Sequence, residues 1–234
     1  VVLIALGQAF FSLSLGMGAM ITYGSYLSEK ENLTSCTLYV VMFDTLIALM
    51  VGMVIFPAVF AMGFEPTEGP GLVFSVLPTV FASMPLGHGV AVIFFILLAI
   101  AAITSGISLL EVVVAYFIDQ RGWGRKRAVL IVGLTIFALG IPSGLSFGVL
   151  ADVKLLDMTF FDHIDNIASN YLLPLGGMLT AIFVGWVWGT KNVHIEIEKH
   201  ENKFGFPWAQ SWAFLIRYIT PVAVGIVFIA KVLH

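Results

Sequence analysis

Of 234 residues, 59% are hydrophobic and only 11% charged, and the net charge is −3. Soluble domains carry about 25% charged residues, so this chain cannot dispose of its apolar surface as a water-soluble fold. The near-neutral balance also excludes nucleic-acid binding and attachment to a membrane surface through a basic face. What fits is a chain embedded in a lipid bilayer.

Asp, Glu, Lys and Arg are absent from 1–28, 69–110, 128–151 and 166–190. Each tract reaches the roughly 20 residues a helix needs to cross hydrocarbon. The predicted fold is all-α, with about six spans near 1–27, 34–62, 88–118, 128–149, 166–189 and 208–232 in one transmembrane domain. The tract 69–110 is too long for one helix, and Pro70, Pro78, Pro85 and Gly87 punctuate its first half, which predicts a short extracellular loop helix near 70–83. Val1 opens inside an apolar run with no Met and no basic leader, so the chain is expected to be a fragment preceded by further spans. The single Cys36 carries no redox information. Basic residues in short connections set the orientation: eight (Lys30, Arg121, Arg125, Lys126, Arg127, Lys191, Lys199, Lys203) fall on one side and two (Lys154, Lys231) on the other. The richer side is expected to be cytoplasmic.

In the first span, Ser12 to Gly18 places two serines and two glycines within seven residues. Glycine weakens a helix, and broken backbone at membrane depth must line a polar cavity. Either the helix unwinds here, or it continues and the serines bond back to the preceding turn. In the second span Asp44 lies roughly 18 Å along a helix beginning near Asn32, close to the midplane, where carboxylates face a cavity or a cation. If that helix starts later, Asp44 only reaches the interface. In the third span Ala101, Thr104, Ser105 and Ser108 share one stripe at i, i+3, i+4 and i+7. Hydroxyls and a carbonyl suit a hard cation; small-residue helix packing explains the stripe equally well.

Glu111 lies two turns past Thr104, and Asp119 sits at the cytoplasmic end; a gating network and an ordinary solvated helix end are both open readings. Gly140, Gly144 and Gly148 are expected to permit close helix contact in the fourth span. Asp162 and Asp165 open the fifth, where the helix dipole favours carboxylates. Trp186, Trp188, Trp208 and Trp212 are expected interfacial anchors. No enzyme motif is present: the five histidines lack zinc spacing, and no phosphate loop occurs.

The string from Gly7 to Tyr26, GQAFFSLSLGMGAMITYGSY, resembles the sixth transmembrane segment of the neurotransmitter:sodium symporter family. The resemblance continues through Asp44, Gly52 to Pro57, Ala101 to Ser105, and Arg217 to Pro221, covering segments six to eleven of the bacterial amino-acid transporter branch. It implies a multi-pass protein of the bacterial plasma membrane with an inverted repeat of two five-helix units and a discontinuous first helix in this chain. The implied function is sodium-coupled symport of an amino acid by alternating access, with the N-terminal half of the same transporter as partner. A channel or a non-transporting regulator on the same scaffold is the alternative.

By matching positions, the resemblance implies two Na+ sites, each completed by the other half. Ser12 and Asp44 would serve the first; Ala101 through its carbonyl, with Thr104 and Ser105, would serve the second. Phe11, Ser12, Ser14, Met17, Ser105 and Leu109 would line the substrate pocket. Phe11, Tyr26, Asp119 and Asp165 would form the gates, their basic partners belonging to the other half. Many relatives have Asn at the position of Asp44, and chloride-dependent ones have Ser where Ala48 stands. A fixed carboxylate at Asp44 therefore predicts chloride-independent transport. Met17 replaces a Phe of some relatives, and a flexible thioether suits a hydrophobic or aromatic substrate.

Overall fold

The computed structural model describes residues 2–28, 30–63, 71–199 and 208–232. Every regular element in them is helical. The chain divides into two compact units, one of Val1–Tyr39 with Leu109–His234 and one of Val40–Ser108. Two helices, α3 (Leu33–Ala61) and α5 (Gly87–Arg121), run through the division between units.

Five helical stretches are long and apolar enough to cross a membrane. They are α3, α5, α6 (Arg125–Leu145), the continuous rod Phe160–Lys199, and Ala209–Ala230. The most apolar windows of α3 and α5 have no buried residues, and a helix that is apolar all round without protein cover belongs in lipid or against other helices. The first apolar tract differs in kind: it is split into α1 (Val2–Ser12) and α2 (Ala19–Tyr26), too short to cross singly. The predicted discontinuous first helix is therefore observed.

Prolines account for three of the four π turns among the described residues, which the sequence reading did not foresee; the turn at Phe183–Gly189 has no proline four residues beyond it. The rod Phe160–Lys199 consists of α7 (Phe160–Asn166), α8 (Leu173–Ile182) and α9 (Thr190–Lys199), joined by π turns at Ile167–Leu172 and Phe183–Gly189. A π turn at Leu72–Val76 likewise precedes α4 (Leu77–Ser83), and one at Leu215–Ile219 joins α10 (Ala209–Phe214) to α11 (Thr220–Val232). In an α-helix a proline ring clashes with the carbonyl four residues back and offers it no donor. For Pro78, Pro174 and Pro221 that carbonyl belongs to Phe74, Asn170 and Arg217, and each lies inside a widened turn. Inserting one residue into the turn relieves the clash.

At Arg217 the loss is repaired from a neighbour. Its carbonyl accepts from Trp186 Nε1 at 3.2 Å, while its own Nε donates to the Gly185 carbonyl at 3.0 Å. The guanidinium carbon also lies 5.0 Å from the centre of the Trp186 ring, a cation–π distance. A Cβ at Gly185 would stand 3.1 Å from the Arg217 Cα, a tight approach of the two π turns that glycine at 185 eases. Trp186, expected as an interfacial anchor, is thus a structural partner of an arginine within the span.

The expectation for Gly140, Gly144 and Gly148 fails in this chain: a Cβ at any of them would meet nothing within 4 Å. Close approach occurs elsewhere, at Gly16, Gly87, Gly176, Gly177 and Gly185. In the 40–108 unit, Phe74 stacks on Phe95 at 6.1 Å and Phe81 packs on Phe94 at 5.3 Å, fastening α4 to the start of α5. In the other unit Val114, Ala128 and Val132 form a small core where α5 meets α6.

Candidate functional site

The interruption of the first helix is built by backbone conformation. Ser14, Gly16 and Gly18 all have positive φ, at 53°, 83° and 82°. Glycine adopts that region freely; for Ser14 it costs roughly 1–2 kcal/mol. The hydrogen-bond ladder changes register across it: Leu13 N bonds to Ala9 O, Ser14 N to Phe11 O and Leu15 N to Phe10 O, at 3.1, 3.0 and 2.9 Å. Beyond that point the carbonyls of Ser14, Gly16 and Met17 accept no hydrogen bond among the described residues. Bare carbonyls at membrane depth require a ligand or a polar cavity, so of the two sequence readings the unwound one is correct. Ser12 is the last residue of α1, Phe11 beside it is 54% exposed, and Ser14 and Met17 lie in the break.

In α5 the stripe has the expected spacing. Thr104 Oγ1 donates to the Ala101 carbonyl at 2.8 Å, and Ser108 Oγ donates to the Thr104 carbonyl at 2.9 Å. The hydroxyl and carbonyl oxygens of Thr104 and Ala101 are therefore neighbours on one face; the Thr104 hydroxyl oxygen keeps its lone pairs, whereas the Ala101 carbonyl already accepts from this hydroxyl and, in the helix, from Ser105 N. Ala101, Thr104 and Ser105 are exposed, as is Leu109 one turn on. Asp44 lies in α3, eleven residues from Leu33, or about 17 Å along the helix. Asp165, in α7, accepts from Ser169 Oγ at 2.9 Å. Its neighbour Asp162 closes a reciprocal cap with Thr159, whose backbone N donates to Oδ2 at 2.9 Å. Helix capping accounts for Asp162.

One cluster the sequence only half revealed lies at the basic end. Tyr26 Oη, on the last residue of α2, donates to Glu111 Oε1 at 2.7 Å. Arg125, the first residue of α6, grips the same carboxylate with both Nη atoms, at 3.0 and 2.8 Å. The Glu111 side chain is 15% exposed and that of Arg125 64%, so the carboxylate is nearly withdrawn from solvent and satisfied by three donors. The turn Gly122–Trp123–Gly124 makes this possible. Gly122 takes φ +64°, Trp123 stacks on Phe117 at 4.5 Å, and Arg127 covers the Trp123 ring at 5.0 Å, which returns α6 along α5. Glu111 thus has a basic partner from within this chain. Asp119 makes no hydrogen bond or ion pair with Tyr26 among the described residues.

The sequence model of the Sodium:neurotransmitter symporter family matches residues 1–234. The chain belongs to that family. Among its symporter relatives, an uncharacterised sodium-dependent transporter of Bacillus subtilis, YhdH, is 40% identical over 97% of this chain and 50% of its own length. An uncharacterised sodium-dependent transporter of Haemophilus influenzae is 35% identical over 97% and 49%. The crystal structure of MhsT in complex with L-phenylalanine matches with 49% identity and a TM-score of 0.88, covering 98% of this chain and 51% of MhsT.

The chain thus spans about half the length of the relatives it matches. Membership of this symporter family, with five long apolar helices, makes it a multi-pass integral membrane protein of a transporter class, and the bacterial relatives point to the plasma membrane. No group of three or more metal-binding His, Cys, Asp or Glu side chains occurs among the described residues.

Proposed function

We propose that this chain is the C-terminal half of a sodium-coupled symporter for a hydrophobic or aromatic amino acid, independent of chloride and working by alternating access. The observation that carries the reading is the unwound segment with its unpaired carbonyls, in a chain 49% identical to MhsT, a protein solved with L-phenylalanine. Sodium is cargo in this scheme, and its gradient drives the cycle. Ser12 and Asp44 contribute to the sodium beside the substrate carboxylate. The Ala101 carbonyl with the Thr104 and Ser105 hydroxyls forms this half of a second sodium site. Hard cations prefer such oxygen sets, and the N-terminal half completes both.

The backbone carbonyls of Phe11, Ser12 and Ser14 face the substrate amino group, and Phe11, Met17 and Leu109 receive its side chain, with Ser12, Ser14 and Ser105 supplying polar contacts. Phe11 with Asp165 closes the outer side, and Tyr26 with Asp119 closes the inner side. Binding of both sodium ions and the substrate organises the break; loss of the second sodium lets the cytoplasmic side open. In uptake assays of the full-length protein, labelled L-phenylalanine is expected to be displaced by hydrophobic and aromatic amino acids and not by glycine or glutamate. Replacing chloride with gluconate is expected to leave the rate within about twofold, because Asp44 already balances the sodium charge. Preferential competition by glycine, or a large loss of rate without chloride, contradicts the assignment.

A further inference from the structure

The break does not hang free: its backbone lies directly on α8. A Cβ at Gly176 would overlap the Gly16 carbonyl oxygen and stand 3.0 Å from the Gly16 carbonyl carbon. A Cβ at Gly16 would overlap the Leu173 carbonyl oxygen and stand 2.6 Å from the Gly177 nitrogen. These are backbone atoms, which cannot swing aside as a side chain can. At Gly177 the obstacle is softer, since a Cβ there would meet the Phe10 ring, with Cε1 at 2.5 Å. Gly16 and Gly176 are therefore in backbone-to-backbone contact, so the Gly16 carbonyl lies against α8, while those of Ser14 and Met17 beside it accept no hydrogen bond among the described residues. Beside the contact lies an apolar cavity of about 170 Å³, lined by Phe10, Ser14, Thr180, Ile216 and Thr220 among others.

We propose that Gly176 and Gly177 of α8 are positioning residues for the transport site: their missing side chains form the seat that fixes where segment 13–18 lies. The inference rests on the reading above that Ser12 and Ser14 serve the ion and the substrate. The seat touches neither. It sets the register of Gly16, two residues from Ser14, and a displacement of about 1 Å in such a constellation is enough to cost orders of magnitude in function. Few backbone hydrogen bonds hold the break itself, so the seat supplies the template onto which sodium closes it.

The test uses the full-length protein, purified and monodisperse, with labelled L-phenylalanine binding measured against sodium concentration. Gly225→Ala is the control, because its Cβ would make only an ordinary 3.9 Å contact with Met178 Sδ. The control is expected to match wild type, Gly177→Ala to need several times more sodium, and Gly176→Ala about tenfold more or beyond. Saturable binding is expected to return at high sodium with an unchanged number of sites, since excess ion drives the displaced break into its binding geometry. Wild-type sodium dependence in both seat variants overturns the proposal. If Gly176→Ala is not recovered as monodisperse protein, Gly177→Ala decides alone, and wild-type dependence there overturns it. A wild-type protein with no sodium-dependent binding overturns instead the transport reading on which the seat depends.

Discussion

Asp44→Ala in the full-length protein is expected to raise the sodium concentration for half-maximal uptake about a hundredfold or to abolish uptake. Asp44 lies about 17 Å along α3 from Leu33, near the middle of a 29-residue helix. A carboxylate at such depth is tolerated when it faces a cation or a cavity. Removing one member of a buried charge pair costs about 3–5 kcal/mol, and each 1.4 kcal/mol is about tenfold in affinity. Asp44→Asn keeps an oxygen ligand and loses the charge, so a smaller rise is expected. Sodium titrations of labelled amino-acid uptake decide the matter. Unchanged sodium dependence in the Ala variant removes Asp44 from the ion site.

The second large effect is expected at the cluster around Glu111, and its signature is the opposite one. Glu111→Ala deprives Tyr26 and Arg125 of their common acceptor. Hydrogen bonds to charged groups contribute about 1.5–3 kcal/mol each. Arg125 is largely exposed, and its share is discounted for solvent screening. Tyr26 is 58% exposed and its bond is screened as well, and together the two donors bias the chain toward the arrangement that ties α2 to α5 and α6. Substrate binding is expected to survive while uptake falls at least tenfold, because the basic end no longer closes. Ser25→Cys, introduced after Cys36→Ser and in a background cleared of any other accessible thiol, is expected to react faster with a membrane-impermeant thiol reagent in Glu111→Ala. Equal labelling and equal uptake would make the cluster structural only.

How much of this was legible in the sequence varies with the range of the interaction. The broken first helix was legible in part: Ser12, Ser14, Gly16 and Gly18 weaken a helix locally, which left unwinding and a continuous helix both open, and the family resemblance implied the break. Which residues would leave helical φ was not: Ser14 takes φ 53°, and a serine gives no advance sign of that. The π turns had a local signal in Pro78, Pro174 and Pro221, of which Pro78 was read only as punctuation and the other two were not read as helix irregularities at all. Glycine spacing misled. Gly140, Gly144 and Gly148 have the four-residue repeat associated with packing yet face open space, whereas the contacts that need glycine, Gly16 on Gly176 and Gly185 on Arg217, join distant stretches of chain. The Tyr26–Glu111 bond spans 85 residues of sequence. No periodicity within one helix encodes such a pair; it follows from the return of α6 along α5 through Gly122 and Trp123.

The central claim is that sodium and an amino acid are bound together by this family member. Equilibrium binding of labelled L-phenylalanine to the purified full-length protein, in sodium chloride and in equimolar choline chloride, tests it most directly. Saturable binding in sodium that falls to background in choline is the predicted result. Equal binding in the two salts, or none in either for any hydrophobic or aromatic amino acid, would contradict it.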